Sequence, residues 1–152
     1  MPKYVYQFLH PRQKEIRLLE LLPGSGSNNT LRCHLEHVSL AIDDGPSYET
    51  ISYCWGDPKA RGFVMVDGCT LEVPVAAEKA LRRMRLQDVS RVLWIDSLCI
   101  NQQDDTERGQ QVGLMQEIYS GTKLNLVYLG EGGDLAGAAR ESLLLILSLI
   151  HI

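Results

Sequence analysis

The feature that most constrains this chain is the run Leu93-Trp94-Ile95-Asp96-Ser97-Leu98-Cys99-Ile100-Asn101-Gln102. An apolar stretch of this kind belongs at the centre of a sheet. It runs directly into Asp96 and then into an amide shoulder at Asn101-Gln102. An acidic side chain leaving a buried strand stands where open α/β sheets hold their ligands, outside the carboxyl ends of the strands. A second stretch, Thr50-Ile51-Ser52-Tyr53, ends in a comparable polar, glycine-containing exit, Cys54-Trp55-Gly56-Asp57. Two such exits predict one shared cleft.

The rest of the chain reads as alternating strands and helices. Ile16 to Leu22 predicts a strand closed by Pro23-Gly24, and Leu31 to Ile42 a second after a Ser/Gly/Asn loop. Glu49 to Cys54 is the first central strand. Phe63–Val66, Asp67-Gly68 and Cys69–Val73 form the strongest hairpin signal, because Asp-Gly suits a two-residue type I′ turn. Pro74 opens a helix whose apolar stripe is Ala77, Ala80, Leu81 and Met84. Arg91 to Ile100 is the second central strand. Asp104 with Glu107 three positions later has the form of a capping box, before a helix with Val112, Met115, Ile118, Tyr119 and Thr122 inward. Leu124 to Leu129 is the third strand, and a last helix begins at Leu135. This order is that of a parallel sheet flanked by helices.

Composition excludes several classes. The 152 residues carry a net charge of −4, which gives no electrostatic footprint for nucleic acid; Arg82, Arg83 and Arg85 read as a solvated helix face. None of the four cysteines forms a C-x-x-C pair, and His34 and His37 fall on opposite faces of a strand, so no metal site is expected. No secretory leader opens the chain, which makes reduced thiols and a cytoplasmic location the expectation. The apolar run Leu143 to Ile150 is too short for a bilayer. Being apolar on every face, it needs a covering layer, which implies a domain cut short or one covered by a partner.

These motifs resemble a known family. Tyr48 through Asp57 resembles the first motif of the fungal heterokaryon-incompatibility (HET) domain. Leu93 through Gln102 resembles its second. Glu107-Arg108, Gln111-Val112, Met115, Ile118-Tyr119 and Leu129-Gly130 resemble its third. The resemblance covers residues 16–130 as the core of a single 1–152 domain. It departs at Ser120-Gly121-Thr122, where the family has Ala, and family members are longer. The resemblance implies an α/β fold similar to the TIR (Toll/interleukin-1 receptor) domain. That is a flavodoxin-like, mainly parallel sheet flanked by helices, here with an added N-terminal strand pair and a β-hairpin insertion. Ile51–Tyr53, Val92–Ile95 and Leu124–Leu129 would be its first three strands, and Cys99 to Thr106 its mobile loop.

The implied function is that of a cell-death effector in fungal nonself recognition. It would act by assembly-dependent hydrolysis of NAD or a related nucleotide, with NAD as substrate and no separate cofactor. The implied partners are further copies of the chain and an upstream receptor or sensor. Some TIR domains use a glutamate on the helix after the third strand; here that carboxylate is Glu141.

Each candidate has a plainer alternative. Glu107 is either a carboxylate that stabilises a ribosyl cation or the N3 residue of a capping box. Asp96 either orients a ribose hydroxyl or caps the next turn. Ser52, Tyr53, Trp55 and Gly56 line a nucleotide cleft with Asp57, or Tyr53 and Trp55 are core aromatics and Gly56 only turns the chain. Arg108 meets a pyrophosphate or pairs with Asp104 or Asp105. Cys99 is a nucleophile or an inert buried thiol. Asn101 and Gln102 contact substrate or tie the loop. Two other readings stand beside the enzyme. One is an adaptor that acts by self-association alone. The other is a metabolic nucleotide-binding protein, which lacks support because neither G-x-G-x-x-G nor a P-loop occurs.

Overall fold

In the computed structural model, residues 2–26, 29–54 and 56–130 are described. They form a seven-stranded mixed sheet with three helices. The strands are β1 (Glu15–Leu21), β2 (Arg32–Ser39), β3 (Glu49–Tyr53), β4 (Arg61–Val66), β5 (Cys69–Pro74), β6 (Arg91–Trp94) and β7 (Asn125–Tyr128). The helices are α1 (Val75–Met84), α2 (Asp96–Cys99) and α3 (Asp105–Ser120). The strand order across the sheet is β5-β4-β2-β1-β6-β3-β7.

The expectation of a mainly parallel sheet with the N-terminal pair added on is corrected by this order. β1 lies inside the sheet, antiparallel to both β2 and β6. Of the six neighbouring pairs, three are parallel (β2–β4, β3–β6 and β3–β7) and three antiparallel. The reason lies in the composition of β1. Ile16, Arg17, Leu18 and Leu19 are consecutive and all buried. A strand buried on both faces fits the middle of a sheet covered on both sides, not an exposed margin.

The hairpin forms as expected. Val66 faces Cys69 across Asp67-Gly68, and both turn residues have positive φ, 50° and 80°, as a type I′ turn requires. α1 covers the Gly62 side of the hairpin: a Cβ on Gly62 would stand 1.9 Å from Glu78 Oε2. Arg61 and Phe63 therefore face the other way along the alternating strand.

The second central strand is shorter than expected. It ends at Trp94, and Asp96–Cys99 turn into a helix. Cys99 N donates to Ile95 O and Ile100 N to Asp96 O, so the apolar residues Leu98 and Cys99 are buried as a helical turn beneath the sheet edge. Along α3 the buried residues are Glu107, Gln111 and Ile118, whereas Val112, expected inside, is 59% exposed. The expected helix from Leu135 lies outside the described residues. No helix among the described residues is long and apolar enough to cross a membrane.

Candidate functional site

β3 and β6 are parallel neighbours, with Glu49 opposite Leu93 and Thr50 opposite Trp94. Both strands therefore discharge their polar exits at the same edge of the sheet. Tyr53 and Asp96 meet there. Burial first, and then the Asp96 charge, push the Tyr53 phenol above its ordinary range, and the nearby Ser97 hydroxyl opposes them. The Arg61 charge, at the start of β4, acts on Tyr53 in the opposite sense to burial.

The structure distributes the remaining predicted residues unevenly. Ser52 is buried; its hydroxyl donates to Asn125 Oδ1 at 3.1 Å, an acceptor it shares with Thr50 Oγ1. That network joins β3 to β7. Gly56 takes φ +65° with open space where a Cβ would stand. Asp57 Oδ1 accepts from Lys59 N at 2.9 Å, tying its own turn. Gln102 Nε2 donates to Asp96 O at 2.9 Å, and Asn101 Oδ1 accepts from Gln103 N at 3.2 Å. Both amides thus brace the loop, as their plainer reading has it. Arg108 is exposed and pairs with Asp105 at 3.3 Å, as its plainer alternative has it. Trp55 and Glu141 lie outside the described residues.

Two candidates do not reach a ligand surface. Cys99 is completely buried, and the lack of solvation pushes its thiol up to about 12. It packs under the rim as an inert group. Glu107 is 7% exposed. Its backbone N–H donates to Asp104 Oδ1 at 3.1 Å, one half of the capping box. Its carboxylate turns inward instead of back to Asp104. Oε1 accepts from Arg17 Nη1 at 2.5 Å and from Asn101 N at 2.8 Å, and Oε2 accepts from Arg17 Nη2 at 3.1 Å.

Arg17 is the residue that sequence reasoning missed. It is fully buried in β1. Besides Glu107, it donates to Cys99 O at 3.0 Å and Gln7 O at 2.6 Å, and its guanidinium stands 4.7 Å from the centre of the Tyr6 ring. One side chain therefore joins the N-terminal segment, β1, the end of α2 and the start of α3. A planar five-donor fork is suited to that junction, and a lysine is not. The available signal was an arginine inside an otherwise solid apolar strand.

Beside the rim opens a cleft of about 340 Å³. Its walls are the N-terminal segment, the exposed face of the β4–β5 hairpin, and Ser97 with residues 101–103. Of the predicted site residues, Asn101 and Gln102 line it. Among the described residues there is no group of three or more His, Cys, Asp or Glu arranged to hold a metal.

The profile of the heterokaryon incompatibility (HET) family matches residues 48–144. The chain belongs to the HET family. It is 34% identical over 141 residues to heterokaryon incompatibility protein 6, OR allele, of Neurospora crassa, an alignment covering 84% of this chain and 20% of that protein. The chain thus spans about a fifth of the length of the curated relative it matches. No solved structure matches it. The HET match takes in both rim exits, α3 and β7 but begins after β1, so Arg17 lies outside the matched segment although its partner Glu107 lies within it.

Proposed function

We propose that this HET domain is a cytoplasmic cell-death effector module in fungal nonself recognition, and that it hydrolyses NAD or a related nucleotide when copies assemble. The observation that carries the reading is the parallel trio β6-β3-β7, with β3 central and a polar rim at its carboxyl end. In chain order this is strand two, one, three, an order that supports the reading of a TIR-like, flavodoxin-like sheet, in which ligands sit at the strand ends where the order reverses. The name of the Neurospora relative supports the biological setting.

In this reading Asp96 accepts a ribose hydroxyl, while Tyr53, Trp55, Gly56 and Asp57 shape the hollow. A carboxylate supports positive charge at the ribose anomeric carbon as the bond to nicotinamide breaks. The bonding electrons pass to the ring nitrogen, which loses its charge. Water bonds to the anomeric carbon and gives its proton to solvent. Glu107 already accepts three hydrogen bonds, which supports Glu141 over Glu107 as the reacting carboxylate in this reading, with Glu107 positioning the loop.

The test is nicotinamide release from NAD by the purified chain at high concentration, repeated with Glu141→Ala and Glu107→Gln. Release that vanishes in folded Glu141→Ala supports the reading. No release from a folded, self-associated chain overturns hydrolysis, and the adaptor reading then takes its place.

A further inference from the structure

We propose that the cleft between the N-terminal segment and the β4–β5 hairpin is a mononucleotide site, holding a base against Phe63 and Tyr4 and a phosphate at Lys3 and Arg61. The inference deepens the nucleotide reading above and rests on it for the ligand class. It assigns the binding chiefly to Lys3, Tyr4, Arg61 and Phe63, which lie outside the three motifs.

Phe63 is a large ring left 59% exposed on the hairpin face that α1 does not cover. Its cross-strand partner is Glu72, and Arg61 lies two residues before it on the same face. Arg61 Nε is held by Glu72 Oε1 at 2.9 Å, which fixes the guanidinium plane and leaves both terminal nitrogens without a partner among the described residues. The opposite wall is a strap. Tyr4 N donates to Thr70 O at 2.8 Å and Thr70 N to Pro2 O at 2.9 Å, so Lys3 is anchored beside Thr70 of β5 by the backbone groups of its two neighbours. Its ammonium makes no ion pair among the described residues. Tyr4 packs edge-on against Tyr6 at 5.1 Å, and the Tyr6 hydroxyl donates to Leu98 O at 2.8 Å. The aromatic wall is therefore rigid before any ligand arrives.

The polar end has matching chemistry. Asn101 Oδ1 is committed to Gln103 N, leaving the Asn101 NH2 without a partner among the described residues. The Gln103 side-chain amide likewise makes no hydrogen bond among the described residues. These groups supply donors and an acceptor for a base edge or ribose hydroxyls. Lys3 and Arg61 against Glu72 leave one net positive charge in the lining, which favours an anion. Ligand pockets span roughly 300–1,000 Å³; a cleft of about 340 Å³ lies at the small end and suits one nucleotide, or one half of a dinucleotide. Rings that stack, flanked by cations, are the usual means of holding a base with its phosphate.

The experiment is an NMR or calorimetric titration of the full chain with AMP, adenosine and inorganic phosphate, repeated with Phe63→Ala and Lys3→Gln. Both positions are exposed, and circular dichroism checks the fold of each variant. AMP is expected to bind in the millimolar range or tighter and adenosine several-fold weaker. Phe63→Ala should weaken both by about tenfold. Lys3→Gln should weaken AMP several-fold, toward the adenosine value, and leave adenosine unchanged. No saturable response to AMP, a response to phosphate alone, or AMP binding that Phe63→Ala leaves intact overturns the site. AMP binding that obeys these variants in a chain that releases no nicotinamide supports the site and overturns only hydrolysis.

Discussion

Replacing Glu107 by alanine leaves a fully buried guanidinium without its counter-charge. Breaking a buried pair by removing one partner costs about 3–5 kcal/mol. Arg17 keeps two carbonyl acceptors, Cys99 O and Gln7 O, and the Tyr6 ring, which puts the expected loss near the lower figure, about 3 kcal/mol. Against a domain stability of about 5–15 kcal/mol, the variant still folds. With a urea slope of about 2 kcal/mol/M, its unfolding midpoint should fall by about 1.5 M. Glu107→Gln keeps an acceptor for Asn101 N and one for Arg17, so its midpoint should fall by less than half as much. The loss should also be local: hydrogen exchange at Asn101 N–H and in the Tyr4–Leu9 segment should speed up before the rest of the sheet does. Coincident midpoints for Glu107→Ala and the parent chain, within about 0.3 M, would refute the assignment of Glu107 as the anchor of this junction. The double variant Arg17→Met with Glu107→Leu should recover most of the loss, since apolar replacement of a whole buried pair is often neutral.

Three further outcomes follow from single positions. A thiol-reactive disulfide reagent at mildly alkaline pH should modify Cys54 rapidly and Cys69 more slowly. Cys33 and Cys99, buried and with thiols pushed up by desolvation, should react only in denaturant. Glu49 is held below its ordinary range chiefly by its hydrogen bond from Arg91. Its contribution to stability is therefore present above the unfolded carboxyl value of about 4.3 and is lost as pH falls through the lower folded value. Urea midpoints of Glu49→Gln and the parent chain should accordingly differ at neutral pH and converge in acid. Gly62→Ala places a methyl group on the Glu78 carboxylate, which must swing aside and give up its ion pair with Arg82, and should lower the thermal midpoint by an amount matching about 1 kcal/mol or less, whereas Gly113→Ala, with open space at its Cβ, should not lower it.

The local signals in this sequence were readable because each depends on neighbours along the chain. Asp67-Gly68 needs two residues with positive φ, and Pro74 followed by the Ala77, Ala80 and Leu81 stripe needs only helical spacing; both lie where expected. The parallel placement of β3, β6 and β7 followed from the alternation of strands and helices. The location of β1 did not. Its burial on both faces was visible in Ile16 to Leu22, but no local rule says that a strand at the start of the chain will separate β6 from β2. The end of β6 was misjudged for a related reason: Leu98 and Cys99 are apolar in either period, and only the Asp96-started turn that buries them decides between strand and helix.

The same distinction governs the site. The polar residues that make the motifs conspicuous mostly hold the scaffold. Ser52 is bound to Asn125, Asp57 to its own turn, Gln102 to the Asp96 carbonyl and Glu107 to Arg17. A buried polar group must find partners within the protein, so a motif dense in buried polar residues describes a junction that is fully occupied before a ligand arrives. Groups with hydrogen-bonding or stacking capacity to spare lie where the sequence looks ordinary: Lys3 on a strap, Arg61 and the Phe63 ring on a hairpin, Gln103 on a loop. Each is unremarkable alone, and they acquire a joint meaning only because β4 and β5 turn their uncovered face toward residues 101–103. The rim motifs and the cleft thus have separate tasks. If that separation holds, substitutions at Glu107 will register first in stability, and substitutions at Phe63 and Lys3 will register in ligand affinity with stability unchanged.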